Sequence, residues 1–313
     1  MAQSIRDIKS KLQKLASTAG NGGSFAIPSE HDSDRLFVLQ GRALSSSLCG
    51  KRPIHSLREV EFSVFSQFGD DGIIQWLINN LEIPHQTFVE FGVADYRESN
   101  TRFLMMNDNW SGLVMDGSAE NVQRIQESSY YWRHDLTAKQ AFVDCDNVNQ
   151  LISSASFDRE IGLLHIDLDG VDYWIWKKID CVSPIILIFE YNSVFGMDRA
   201  ITVPYDKSFY RTDAHHSNLY FGASLAAFCK ISQEQGYSLV GCNNAGNNAY
   251  FVRNDKLNDT VKAASIEDAF VMSKFRESRD QDGQLTYLSG SDRLKSIAGL
   301  EVYNVETDSI EKL

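Results

Sequence analysis

The chain has 313 residues, 43 % of them hydrophobic, which is ample for a packed core and excludes wholesale disorder. A net charge of −12 with no Lys/Arg-rich run to offset it disfavours a polyanionic partner, so nucleic-acid binding is not expected. The densest apolar run, Ile185–Phe189, falls far short of the roughly 20 residues that span a bilayer, and no secretory h-region opens the chain. Five cysteines, Cys49, Cys145, Cys181, Cys229 and Cys242, are scattered without a CxxC pair, which suggests neither a disulfide framework nor a zinc site. A reducing, cytoplasmic setting is the expectation.

In chain order, Ile5, Ile8, Leu12 and Leu15 mark a short amphipathic helix that packs on its own protein or on a second subunit, as in a homo-oligomer. Gly20–Gly23 reads as a break, and 24–53 as mixed polar sequence with short helical pieces. From Ser56 the pattern predicts two helices joined by the glycine turn of Ser66–Gly72. Strands at 87–92, 112–116, 130–133, 161–167 and 184–190 then alternate with helices at 99–107, 118–127, 146–155 and 171–179. Strict alternation implies a parallel sheet with helices on both faces. After a helix at 222–235, two apolar runs flank Asn243–Asn248, the signature of an antiparallel hairpin at 237–252. A helix at 265–276, capped by Ser265 and Asp268, and a strand at 300–305 complete the tail. The fold class is therefore α/β: a Rossmann-like sheet, mostly parallel with a terminal antiparallel hairpin. We divide it into an N-terminal extension (1–55), the sheet domain (56–255) and a C-terminal appendage (256–313).

The turns after the strands carry the chemistry. Phe88-Val89-Glu90-Phe91-Gly92 ends on one acid and one glycine, whereas a dinucleotide pocket needs three glycines to bring backbone up to a pyrophosphate. Asp116 ends the second strand, where an acid that holds a ribose diol is expected. The pair suits S-adenosylmethionine, which carries a diol, an ammonium and a sulfonium but no phosphate. Alone, each acid reads equally well as a cap on a buried strand.

Further along, Asp167 and Asp169 follow the fourth strand, and Glu190 and Asn192 the fifth; both pairs belong at the carboxyl ends, in the same crevice. Asp167, Glu190 and Asn192 are hard-oxygen ligands of the kind that hold Mg²⁺, Mn²⁺ or Ca²⁺. His165, among apolar neighbours, reads as a core residue. His215 and His216 sit in a polar insert with Tyr205, Tyr210, Arg211 and Tyr220, whose mixture of rings and polar groups suits a carbohydrate. One of the two histidines, or Asp169, is the candidate general base.

Three stretches in series resemble the FkbM-like S-adenosylmethionine-dependent methyltransferases: Ser66-Gln67-Phe68-Gly69-Asp70-Asp71-Gly72; Phe88–Gly92 with Ser99-Asn100-Thr101 and Trp110–Asp116; and Ile166–Tyr173 with Ile186–Glu190. The resemblance covers about 62–192. It implies that Glu90 and Gly92 line the methionine end, Asp116 the ribose, and Gln67 and Asn100 the polar edges of the cofactor pocket; by their place in the crevice, Asp167 and Glu190 are expected beside the sulfonium. It further implies O-methylation of a sugar or glycosylated metabolite. The placement of acids after strands four and five is also similar to the metal sites of cation-dependent O-methyltransferases. Two rivals remain: a metal-dependent glycosyltransferase using Asp167-Leu168-Asp169 as its DxD element, and a non-catalytic carbohydrate-binding or assembly protein.

Overall fold

Alternating residues of five consecutive strands fill two separate apolar layers, and this alternation builds the molecule around one sheet. The structure, a computed structural model, describes residues 30–48, 50–157 and 159–313. The predicted helix at 5–15 lies outside the described residues. The chain divides into two units, Met1–Phe37 and Val38–Leu313. Apart from one helix that begins in the first, all that follows concerns the second.

Strands β1 (Thr87–Phe91), β2 (Ser111–Asp116), β3 (Leu136–Gln140), β4 (Glu160–Ile166) and β5 (Ser183–Glu190) are parallel; β7 (Tyr237–Cys242) and β8 (Asn248–Arg253) form the hairpin after β6 (Ile201–Thr202). The strand order is β3-β2-β1-β4-β5-β8-β7, with β8 antiparallel to β5. This is a Rossmann-like sheet, mostly parallel with an antiparallel edge. Val89, Phe91, Leu164, Ile166, Leu187 and Phe189 pack on one face, and Phe88, Leu163, Ile186 and Ile188 on the other. Chain order reverses between β1 and β4, which opens a crevice at their carboxyl ends, the place where open α/β sheets bind ligands.

Several boundaries differ from the sequence pattern. The third strand lies at Leu136–Gln140, not 130–133: Tyr130 is buried beside Tyr96, but Trp132 is exposed in a turn. Residues assigned to short pieces form one helix, α1 (Glu30–Leu48). Ahead of α2 (Asp70–Asn80) stands only a 3-10 turn at Leu57–Val60. The helix expected at 265–276 stops at Ala269, after which the backbone is extended and tied to Tyr191 and Ser193. A second, three-stranded sheet joins β6 to β9 (Glu301–Asn304) and β10 (Ser309–Lys312), closed by Val194, Phe195, Ile201, Leu219, Ile297 and Val302. Among the described residues no helix is long and apolar enough to cross a membrane.

Candidate functional site

A cleft of about 740 Å³ lies at the reversal point. The turns that follow the strands converge on it with the loop before α2, and buried or turn-capping carboxylates hold several of them.

The first segment carries Gln67. Asp71, in the opening turn of α2, accepts the N–H groups of Val64, Phe65 and Ser66 at 2.7, 2.8 and 2.8 Å and the Ser66 hydroxyl at 2.9 Å. Burial pushes its carboxyl up to about 6, and those donors oppose the rise. The loop so fixed brings Gln67 to the cleft and stacks Phe68 on Phe275 of the tail, ring centres 5.2 Å apart.

The second segment is the turn after β1. Glu90 does not face the cleft, contrary to the sequence expectation. Its carboxylate is buried and accepts from Ser99 Oγ at 2.6 Å, Asn100 N at 3.0 Å and Thr101 Oγ1, and pairs with His165 Nδ1 at 2.9 Å. Burial opposes charge on both partners. Their mutual attraction wins, so Glu90 is held below and His165 above its usual range. Asn100 is likewise turned inward, its amide nitrogen 3.3 Å from His165 Nε2. Glu90 and Asn100 thus brace the floor of the site and leave its lining to Gly92 and Ala94. Gly92 has φ +73°, and a Cβ there would stand 1.7 Å from the Asp167 carbonyl oxygen, so only glycine lets the two turns meet.

Asp116 ends β2 and lines the cleft as expected. One oxygen accepts Ala94 N at 2.9 Å; the other accepts Ser118 N at 2.8 Å and Asn121 Nδ2 at 2.9 Å. It therefore ties the turns after β1 and β2 together. Beside it, Ala141, Phe142 and Val143 after β3 add an apolar wall, with Phe142 largely exposed.

The third segment holds Asp167 and Asp169. Asp172, at the start of α6 (counting α3 Arg102–Asp108, α4 Ala119–Glu127 and α5 Val148–Ser153; α6 is Asp172–Lys178), accepts Leu168 N at 2.8 Å and Gly170 N at 3.1 Å. Burial raises it to about 6. Asp167 itself accepts no hydrogen bond among the described residues and faces Glu190 across the cleft. Burial, then repulsion from Glu190 and Asp169, lifts the Asp167 carboxyl well above its ordinary range; burial and Asp169 raise Glu190 to about 8.

Candidate ligand atoms of Asp167, Asp169 and Glu190 lie within 4.8 Å of one another. Asn192 does not join them, which corrects the expected ligand set. Its amide donates to Leu219 O at 2.9 Å and Phe221 O at 3.0 Å, and its Oδ1 caps Val194 N at 3.0 Å. Asp169 stands in its place. The side chain two residues past a strand end left the sheet direction, so alternation no longer predicted its heading.

The fourth segment is the insert after β5, which supplies Phe209, Tyr210, Arg211 and Thr212. Arg211, on the short helix α7 (Arg211–Ala214), donates to Asp169 Oδ1 at 2.7 Å. His215 and His216 do not line the cleft: His215 Nδ1 meets Ser217 Oγ at 2.8 Å, and the two rings lie 4.1 Å apart. Burial, aided by His216, lowers His215. In sequence Arg211 is only one polar member of the insert; the fold brings it to Asp169, 42 residues earlier.

No protein-family model and no curated protein matches the chain. Solved structures similar to it include an O-methyltransferase from Bacillus cereus in complex with SAH, 12 % identical, covering 77 % of this chain and 96 % of that one, with a TM-score of 0.39. A putative O-methyltransferase from Klebsiella pneumoniae is 11 % identical over 77 % of this chain and 95 % of its own, TM-score 0.39. The plantazolicin methyltransferase BpumL in complex with SAH is 11 % identical over 71 % and 95 %, TM-score 0.36.

Proposed function

We propose that the protein is an S-adenosylmethionine-dependent O-methyltransferase acting on a hydroxyl of a sugar or glycosylated metabolite, in the manner of the FkbM-like group. The observation that carries this reading is the charge of the cleft. Asp116, Asp167, Asp169 and Glu190 face a single lining guanidinium, Arg211, and although burial and repulsion favour the protonated forms of Asp167 and Glu190, a cation bound beside them would draw both back toward the carboxylate. Such a lining favours a ligand with a sulfonium and an ammonium and repels a diphosphate. The one-glycine turn at Gly92 adds no phosphate cradle, which argues against the DxD glycosyltransferase alternative.

In this reading Asp116 receives the ribose, Phe142 and Val143 border the adenine, and Gln67 and Gly92 border the methionine end. The acceptor oxygen attacks the methyl carbon in line as the carbon–sulfur bond breaks, and the acceptor proton passes to the Asp167–Glu190 pair. These carboxylates replace His215 and His216 as bases because they line the cleft and the histidines do not. Holding the two substrates in one cleft supplies much of the rate.

A second reading adds a divalent metal. Three hard carboxylates, Asp167, Asp169 and Glu190, fit Mg²⁺ or Mn²⁺, and such an ion would lower the pKa of the acceptor hydroxyl. Arg211 would then give up Asp169. Activity unchanged by a chelator removes the metal. Calorimetry with S-adenosylmethionine and S-adenosylhomocysteine tests the main reading; no heat from either with folded protein refutes it.

A further inference from the structure

We propose that Arg211, Asp169 and Tyr210 form the acceptor-recognition element of the cleft and read a vicinal diol on the face of a neutral saccharide. The inference rests on the carbohydrate acceptor proposed above and goes beyond it by assigning the residues and the feature recognised.

The Arg211 guanidinium is held on three sides. Its Nε donates to Asn218 O at 2.9 Å, its plane lies over the Phe221 ring at 3.7 Å, and one Nη1 hydrogen goes to Asp169. Nη2 has no hydrogen-bond partner among the described residues. The group is thus oriented in advance with donors to spare, which lowers the ordering cost of binding. Asp169 keeps its second oxygen free of protein hydrogen bonds, and its side chain is 60 % exposed. An acceptor and a donor therefore stand side by side at the mouth of the site.

A hydroxyl both donates and accepts, so neighbouring hydroxyls on a sugar ring satisfy the two groups at once, one giving to Asp169 and the other taking from Arg211. Charge-assisted bonds of this kind are the strong ones. Tyr210, adjacent in sequence and 59 % exposed, lines the same cleft and offers a ring to the apolar C–H face of a pyranose.

The insert is rigid enough to hold this geometry. Phe209 fills the space above Gly170, where a Cβ would stand 2.2 Å from its ring, and the Tyr205 ring lies 6.0 Å from that of Trp174. A free anion is a poorer fit. Glu190 and Glu277 act on Arg211 together with Asp169, so an added carboxylate or phosphate would meet three acids around one cation.

Saturation-transfer NMR with the full chain tests the proposal, using methyl α-D-mannopyranoside, the gluco and galacto isomers, and methyl α-D-glucuronoside as the charged counterpart. Neutral glycosides should receive saturation on their ring protons more strongly than the glucuronoside. Arg211→Lys, which keeps the charge but loses the fork, and Tyr210→Ala should each weaken the best neutral glycoside at least fivefold. Both variants should bind S-adenosylhomocysteine within twofold of the parent. Tyr210 is exposed, so its truncation keeps the test valid if the arginine variant fails to fold. No saturation of any neutral glycoside, an unchanged signal in both variants, or a stronger signal from the glucuronoside would overturn the proposal. Loss of S-adenosylhomocysteine binding by the parent would instead overturn the methyltransferase reading, so the two failures are told apart.

Discussion

Gly92→Ala is the sharpest test of how the cleft is built. At φ +73° an alanine bears a left-handed penalty of about 1–2 kcal/mol. Its Cβ would also stand 1.7 Å from the Asp167 carbonyl oxygen, where real Cβ contacts stay beyond 3.0 Å, so two backbone segments must part. Overpacking of that kind costs about 1–3 kcal/mol more. The expected loss is therefore about 2–5 kcal/mol, read from the midpoint of urea unfolding at unchanged slope. The displaced carbonyl belongs to a residue of the site, so affinity for S-adenosylhomocysteine should fall at least thirtyfold by calorimetry, about 2 kcal/mol. Gly117→Ala is the matched control: its Cβ would meet Phe142 at an ordinary 3.7 Å, and stability should move by less than about 1 kcal/mol. A Gly92→Ala protein as stable as the parent, with affinity within threefold, would refute the view that this contact shapes the pocket.

Asp116→Ala should lower affinity for S-adenosylhomocysteine at least tenfold, about 1.4 kcal/mol by calorimetry, and release the Ala94 and Ser118 N–H groups at a cost of about 1–2 kcal/mol in unfolding. His165→Gln should cost about 3 kcal/mol near pH 6. Because Glu90 raises His165, that contribution is full below 6.5 and is lost as pH climbs through the folded value, so the variant's stability profile should be flatter on the alkaline side. Glu190→Gln should also flatten the alkaline side, but as a gain in stability rather than a loss. A carboxyl raised from 4.5 to about 8 makes the fold less stable as pH rises between those values. The glutamine variant should therefore gain about 1–2 kcal/mol on the parent at pH 9, the figure being reduced because water reaches the cleft. The same variant should lose methyl transfer to acceptor in a radiolabel assay.

The parallel strands were legible because each is a short apolar run between turn residues; Gly92, Asp116 and Asp167 sit where those runs end, and Gln67 lies in the glycine turn before α2. β3 was misread because its sequence, Leu-Thr-Ala-Lys-Gln, belongs to an edge strand that is half polar, while the aromatic 130–132 looked more like a strand. A two-residue strand such as β6 has no period to detect. Glu90 was misplaced for a different reason: sequence shows that an acid ends a strand but not which way its side chain turns, and that direction is decided by His165 and the Ser99–Thr101 loop. Arg211 and Asp169 met only through the third dimension.

The buried Asp70 has a bearing on the order of assembly. It accepts from Asn243 and Asn248 at 3.0 Å each and from the Tyr250 hydroxyl, partners more than 170 residues downstream. β5 also waits for β8 to cover its open side. During synthesis, then, the first two hundred residues emerge with an acid that lacks its hydrogen-bond donors and a bare hydrophobic strand edge, a state prone to mispairing with other nascent chains. Truncation anywhere before Arg253 should leave not a smaller folded protein but an aggregating fragment that depends on chaperones.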